Sequence, residues 1–368
     1  MRIHATGIGG AGCRVVNTLA GEYGGRSFLN GAVAFDTDVN TLEQLSAIDP
    51  EQRYRFSDEA GGNGLSGDLS RGQALGEEYV SELSRVIDRG TLSRAEGFLL
   101  VIGLGGATGG GVAPELIRNL NRLTEEPVYV LGILPASTEA DTEIDPAAYR
   151  PQAAANTQET LAELTGLATA IICFDNDNWL SGGQQFSSER DRINNVLVEH
   201  IAAVFGAGDV DDTTATAQQV VDASDINRAL GSDSSIATIG YATQTVKTQQ
   251  AKSRFGLGIF KSKTPPEVDT SEAVRAIETV IRKAARGKQT LETTDGHADR
   301  TLLIVGGPPE WLNRQAIAQG RTWLTSETGS SALLSGDAPD ESRDDVFAIV
   351  LRSGITPQNW LAEGPKQS

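Results

Sequence analysis

The stretch Leu99–Leu120, LLVIGLGGATGGGVAPELIRNL, passes from an unbroken apolar run through six glycines in nine residues into a segment with helical periodicity. A continuous apolar run bounded by glycine reads as a strand buried on both faces, and such strands sit in parallel sheets whose crossovers are helices. The chain must therefore build a βαβ unit whose strand-to-helix turn is almost bare backbone. Glycine there lets the main chain approach anionic oxygens with no Cβ in the way. The free N–H groups and dipole of the following helix attract phosphate. The ATP-type loop G-x-x-x-x-G-K-[ST] is not available, because the first lysine in the chain is Lys247. Phosphate would have to be held by backbone amides and the hydroxyl of Thr108.

Two more glycine-rich stretches share this character. GIGGAG, Gly7 to Gly12, fits G-x-G-x-x-G, with Asp36 at the end of the next strand, which is a dinucleotide-binding fingerprint. GGNGLSGDLSRG, Gly61 to Gly72, follows the second strand. Three such turns at the C-terminal ends of parallel strands could ring one polyphosphate.

Periodicity places these turns. Strands are expected at Ile3–Gly7, Gly31–Phe35, Phe98–Gly103, Val128–Leu134 and Ala170–Phe174, with helical stretches at Cys13–Leu19, Glu77–Ile87 and Ala113–Leu123. Pro114 is expected near the start of the last of these, where a missing N–H costs nothing. A long helix over Ser187–Phe205 carries Ile193, Leu197, Ile201 and Val204 on one face. FGAGDVDDTTATAQQ reads as a loop, VVDASDINRAL follows it, and a strand is expected at Ile236–Ala242. A polar, basic excursion closed by Pro265–Pro266 precedes a helix capped by Asp269, paired with Glu272 in a capping box. Strand Thr301–Val305, helix Trp311–Leu324 and strands Ser331–Ser335 and Val346–Leu351 complete a second α+β part. The expected organisation is 1–185, a nucleotide-binding Rossmann-like domain; 186–230, a long helix and acidic loop; 231–355, a smaller α+β domain; and 356–368, a short tail.

Composition narrows the function. The 368 residues carry 49 Asp and Glu against 31 Lys and Arg, a net charge of −18. That argues against sequence-independent binding to nucleic acid, which needs phosphate-neutralising cations, and suits a high-salt cytosol. Cys13 and Cys173 are too few for a disulfide framework or a cysteine-built metal site, and His4, His200 and His297 have no ligand-like spacing. With no signal peptide and no apolar run of about 18 residues, the expectation is a cytoplasmic chain.

GGATGGG resembles the tubulin signature, GGGTGTG in FtsZ and GGGTGSG in the archaeal CetZ proteins. EPVYVLGILPAS, CFDNDNWL, FGAGDV, VVDASDI and GPPEWLNRQAIAQGRTWL are closest in style to CetZ, the tubulin-like cell-shape proteins of haloarchaea. The resemblance implies the tubulin/FtsZ fold and binding of GTP or GDP, with Mg2+ carried mainly by the nucleotide phosphates and no protein-built metal site. It implies a first phosphate loop of Gly9, Gly10, Ala11, Gly12 and Cys13. The signature loop would be Ala107, Thr108 and Gly109, flanked by Gly105, Gly106 and Gly111, with Gly64 and Asp68 in the third loop. Glu139 matches the acid that meets the ribose, and Asn176 and Asn194 match the residues that read guanine. Arg190 stands where relatives often place an aromatic against the base; a guanidinium plane also stacks. Ala107 replaces a glycine of the signature, and Cys13, Ser66 and Leu69 also depart from the commoner residues. A methyl at position 107 is harmless at negative φ and costly at positive φ.

Asp222 and Asp225 stand three residues apart in VVDASDINR. Taken alone, they fit an N-cap pair at a helix start. The resemblance implies more: an acidic loop that reaches the γ-phosphate of the neighbouring subunit, completes its active site, and so ties hydrolysis to a head-to-tail filament. Lys252, Arg254, Lys261 and Lys263, interleaved with Phe255, Leu257, Ile259 and Phe260, could touch an anionic membrane or an acidic adaptor. The leading expectation is a GTP-hydrolysing, filament-forming cytoskeletal protein of archaeal cell shape. A diverged paralogue that binds GTP and assembles with little turnover stands beside it, and a nicotinamide oxidoreductase built on Gly7–Gly12 is the third class.

Overall fold

The computed structural model describes residues 1–58, 61–88, 94–208, 221–247 and 268–357. The basic–aromatic stretch 252–263, most of the loop before Asp222, and all but the first two residues of the 356–368 tail lie outside the described residues.

Apolar alternation and glycine punctuation become strands and helices in this order: β1 (Ile3–Ile8), α1 (Gly9–Tyr23), β2 (Leu29–Asp36), α2 (Val39–Glu43), β3 (Arg53–Arg55), α3 (Leu69–Asp88), β4 (Gly97–Gly103), α4 (Ala107–Leu123), β5 (Val128–Leu134), α5 (Ala153–Leu164), β6 (Ala170–Asp175), α6 (Phe186–Phe205), α7 (Ala223–Leu230), β7 (Ser235–Thr245), α8 (Thr270–Arg286), β8 (Arg300–Gly307), α9 (Arg314–Thr328), β9 (Ala332–Pro339) and β10 (Asp345–Ser353). The strands form one sheet in the order β3-β2-β1-β4-β5-β6-β7-β10-β8-β9. From β3 to β7 every pairing is parallel. β10 runs antiparallel between β7 and β8, and β8 and β9 are parallel. The C-terminal α+β part is thus continuous with the first sheet, joined through three residue pairs, Ala170–Ile172 against Ser235–Ala237.

Central strands are buried on both faces. In β4, Leu99 and Val101 face the cluster that holds α1 and α6, whereas Phe98, Leu100 and Ile102 face the one that holds α3 and α4. In β10, Phe347, Ile349 and Leu351 continue the first cluster, and Val346, Ala348 and Val350 pack on α8 and α9. α6 spends Ile193, Leu197, Ile201 and Val204 on this core, the face its spacing predicts.

Several local expectations need correction: α1 begins at Gly9, not Cys13, and α3 at Leu69, not Glu77. α4 begins at Ala107, not Ala113, so the signature glycines form its first turn and Pro114 lies inside the helix. Asp269 caps α8 by accepting from Ser271 N at 2.8 Å, with no capping box to Glu272. The last helix starts at Arg314, because Pro309–Trp311 forms a separate 3-10 turn.

Several glycines are there for packing. α3 crosses α4 where Gly72 and Gly111 meet: a Cβ on Gly111 would stand 2.3 Å from the Gly72 carbonyl carbon, and one on Gly72 would stand 2.1 Å from Ala107 O. Backbone on both sides leaves neither helix room to yield. Gly111→Ala is therefore expected to cost about 1–3 kcal/mol in urea unfolding. Gly182→Ala, where an added Cβ meets nothing within 4 Å, should change stability by less than about 0.5 kcal/mol. Equal values for the two would show that the crossing tolerates a methyl.

Candidate functional site

Two helices start at one place. α1 follows β1 without a connecting residue, and α4 follows β4 after a three-residue turn, Leu104–Gly106. No side chain caps either N-terminus: Ile8 precedes α1 and Gly106 precedes α4. The ends are close enough that a Cβ on Gly9, which adopts φ +73°, would come 3.0 Å from Gly109 N. Two sets of uncapped N–H groups and two positive dipole ends thus converge, an arrangement suited to an anion. Ala107 is helical and is absent from the residues with positive φ, so its methyl is unstrained. Ser66, in the third glycine loop, instead takes the left-handed conformation at φ 50°.

A cleft opens at this junction. Gly9, Gly10, Ala11, Gly105, Gly106, Ala107, Thr108 and Gly109 form its glycine floor, and Glu139, Asn176, Arg190 and Asn194 also line it. The Thr108 hydroxyl lies 3.2 Å from that of Thr37. Glu139 is buried; it accepts from Ala136 N at 2.9 Å and meets Arg150 Nη1 at 3.3 Å. Burial pushes its carboxyl up, and the Arg150 charge opposes that shift. Asn176, also buried, donates its amide nitrogen to Leu134 O at 2.8 Å. Its oxygen remains to accept from a ligand.

Arg14, Arg150 and Phe186 line the cleft as well, and sequence reasoning passed them over. Phe186, Arg190 and Asn194 recur every four residues along α6, each seven residues before a member of its apolar stripe, so they carry that face on toward the cleft. That spacing was the available signal for Phe186. Arg14 and Arg150 offered none, since only folding carries them to the cleft.

Other candidates stand elsewhere. Gly12 packs on β4, where a Cβ would be 1.9 Å from Val101 O, and Gly111 packs on α3. Cys13 is fully buried, its thiol donating weakly to Phe35 O at 3.4 Å and pushed up by burial and by the Asp36 charge. Gly64 adopts φ +73° beside Asp38, and Asp68 accepts from Arg71 N at 3.0 Å in the first turn of α3. The third loop is tied to the signature loop by Asn156, which donates to Gly67 O and Gly105 O.

Asp222 and Asp225 lie at the opposite end of the sheet. α7 leads into the N-terminal end of β7, and its Asn227 accepts from the hydroxyl of Tyr129 at the start of β5. The cleft meets the other end of β5, at Ile133 and Leu134, roughly 13–17 Å away along the strand. The two acids form a reciprocal capping box, with Asp222 accepting from Asp225 N at 2.8 Å, and Arg228 reaches Asp225 at 2.5 Å.

Comparison with known proteins agrees with this architecture. Residues 2–183 match the family model described as Tubulin/FtsZ family, GTPase domain, and residues 183–363 match Tubulin-like CetZ, C-terminal domain. The chain belongs to the tubulin/FtsZ family, in its CetZ branch. Tubulin-like protein CetZ5 of Haloferax volcanii is 33% identical over 99% of this chain and 90% of its own. The GDP-bound monomer of CetZ1 from Haloferax volcanii superposes with a TM-score of 0.82 at 30% identity, covering 99% of this chain and 97% of that one. The GTPγS-bound protofilament of CetZ2 from the same organism gives 0.79 at 27% identity, covering 96% and 93%. No helix among the described residues is long and apolar enough to cross a membrane.

One carboxyl beside the cleft carries a testable charge. Asp36 is buried; Oδ1 accepts from Thr37 N and Asp38 N, while Oδ2 meets no donor among the described residues. Burial raises it to about 6, above the ordinary range of an aspartate. A carboxyl raised on folding holds its proton more tightly in the native state, so its contribution is whole below about pH 4 and lost as pH climbs through about 6. Asp36→Asn keeps the Oδ1 acceptor. It is expected to stabilise the nucleotide-free protein by on the order of 2–3 kcal/mol at pH 8, with the gain shrinking at pH 5. Urea unfolding at both pH values checks this, and an equal gain at both would mean that Asp36 titrates normally.

Proposed function

We propose that this chain binds and hydrolyses GTP and assembles head to tail into filaments. The cleft of one subunit would be completed by Asp222 and Asp225 of the next. The observation that carries this reading is the placement of an anion-ready cleft and an acidic pair, Asp222 exposed and Asp225 partly buried beside it, at opposite ends of the same parallel strands. Stacking one copy on another by translation along those strands would bring the two together. Such an interface repeats without closing.

In this reading the amides at the starts of α1 and α4 and the Thr108 hydroxyl hold the phosphates. Glu139, aligned by Arg150, receives a ribose hydroxyl. Phe186 and Arg190 offer flat surfaces to the base, and Asn194 and the Asn176 oxygen accept from the N–H groups on the guanine edge, groups that adenine does not present there. The metal ion would be bound mainly through phosphate oxygens. Thr37 and Thr108 are the hydroxyls beside that end. Mg2+, when bound, would neutralise charge on the phosphates. The incoming carboxylates would orient and polarise the attacking water, and Asp222, with no salt bridge among the described residues, is the freer to accept its proton. Residues 1–185 would bind the nucleotide, 186–230 supply the long helix and acidic loop, and 231–355 support the surface that meets the next subunit. The process served would be archaeal cell shape.

One observation favours a second reading, assembly with little turnover: both acids are engaged within their own helix start, and Arg228 already partly neutralises Asp225. GTP turnover measured against protein concentration in molar KCl with Mg2+, with pelleting of the same samples, separates the two. Turnover per molecule is expected to climb with concentration. Asp222→Asn, which keeps a good cap, should lower turnover about 10²- to 10⁴-fold while GTP binding holds. Pellets with flat phosphate release would select the second reading, and no GTP binding would sink both.

A further inference from the structure

The charge on the cleft wall is lopsided. Arg14, Arg150 and Arg190 line it, against Glu139 as the one acid among the described lining residues. Glu139 is taken by Arg150. Arg190 has an exposed neighbour, Asp191, at 3.5 Å, and Arg14 has no ion pair among the described residues. The buried Nε atoms of Arg14 and Arg190 both lack a hydrogen-bond acceptor there.

Arg14 sits in the second turn of α1, and its side chain runs back toward the helix start, as helical side chains do. A Cβ on Gly10 would meet its Nη1 at 3.2 Å and Nη2 at 3.5 Å. Its guanidinium therefore lies against bare backbone at the second residue of α1, beside the uncapped amides. The absence of a side chain at Gly10 makes the room. Burial and then the facing charges of Arg190 and Arg150 lower Arg14 to about 10. Cys13 and the Asp36 carboxyl oppose this only more weakly, so a cation facing two others with no ion pair among the described residues is costly unless a ligand supplies the charge.

We infer that Arg14 is a phosphate-binding residue, giving this lysine-free cleft a side-chain cation for the nucleotide's β- and γ-phosphates. The inference rests on the nucleotide reading above and adds a residue to it. A planar fork of donors suits this place, since it bridges two phosphate oxygens where an ammonium would meet them as a point charge. Affinity should then depend on phosphate number through this one side chain.

The test compares GTP, GDP and GMP on the full chain and on Arg14→Gln, by displacement of a fluorescent guanine nucleotide at 0.2 M and 2 M KCl. The variant is expected to lose about 10- to 100-fold for GTP, less for GDP, and little for GMP, with a shallower salt dependence for GTP. Without nucleotide it should unfold at the same or a higher urea concentration, because it removes a repelled cation; this separates lost contact from lost fold. Equal losses for all three nucleotides would overturn the inference. So would a wild type that discriminates against 7-deaza-GTP while Arg14→Gln does not, since Arg14 would then read the base. A wild type that binds no GTP overturns the nucleotide reading as well.

Discussion

The approach of the N-termini of α1 and α4 is the contact on which the rest of the molecule depends. Each helix presses an unsatisfied, partly positive end toward the other, and the pair is tolerable only where an anion can be shared between them. Geometry allows the approach because side chains are missing at the points of closest contact. Gly9 lies against Gly109, Gly12 against Val101 O, and Gly111 against Gly72. The glycines thus do two jobs. Gly9, Gly10, Gly105, Gly106 and Gly109 expose amides to the cleft, whereas Gly12, Gly72 and Gly111 let helices sit close enough to the sheet and to one another for those amides to converge.

That division explains how much was legible in the sequence. Strand and helix positions in the first half follow from apolar periodicity, because strands buried on both faces read as unbroken runs and α6 keeps a clean stripe. Starts of helices were harder. Glycine weakens a helix by about 1 kcal/mol relative to alanine, so ATGGG reads as loop; tertiary packing against α3 holds it helical and carries Pro114 inside. Of the candidate site, the motif residues on the cleft floor were legible because their spacing is local. Arg14 and Arg150 were not, since a solvated arginine and one that turns into a cleft look alike until the chain is folded. Gly12 and Gly111 carried the same glycine signal as the amide-exposing residues, and only their place outside the cleft lining separates the two roles.

The two halves of the sheet are mechanically joined along the cleft end of their strands. Between the Asn176 turn and the C-terminal strands runs a ladder of rings: Phe174 stacks on Trp179 at 5.7 Å, Trp179 meets His200 at 5.4 Å, His200 meets Tyr241 at 5.6 Å, and Tyr241 meets Phe347 at 6.1 Å. Burial lowers His200 to about 4, so near neutral pH it is an uncharged packing ring and the ladder is apolar throughout. Arg343 closes it over Phe347 at 4.7 Å. Packed rings transmit displacement well because interiors are close to crystalline density. β6 and β7 share only three residue pairs, so this ladder and α6 supply much of the coupling that the narrow seam does not.

Charge sets the conditions under which such a chain can meet itself. At −18 overall, two copies repel at long range, while the cationic cleft is the place where negative charge is welcome. Dilute salt leaves the general repulsion unscreened over about 10 Å or more, whereas near 1 M it is confined to about 3 Å. High salt then removes the long-range barrier but leaves buried contacts, such as guanidinium on phosphate, largely intact. An acidic, lysine-poor surface and an arginine-lined cleft are, on this view, two sides of one solution: solubility where subunits should not touch, and local attraction where a ligand must be held.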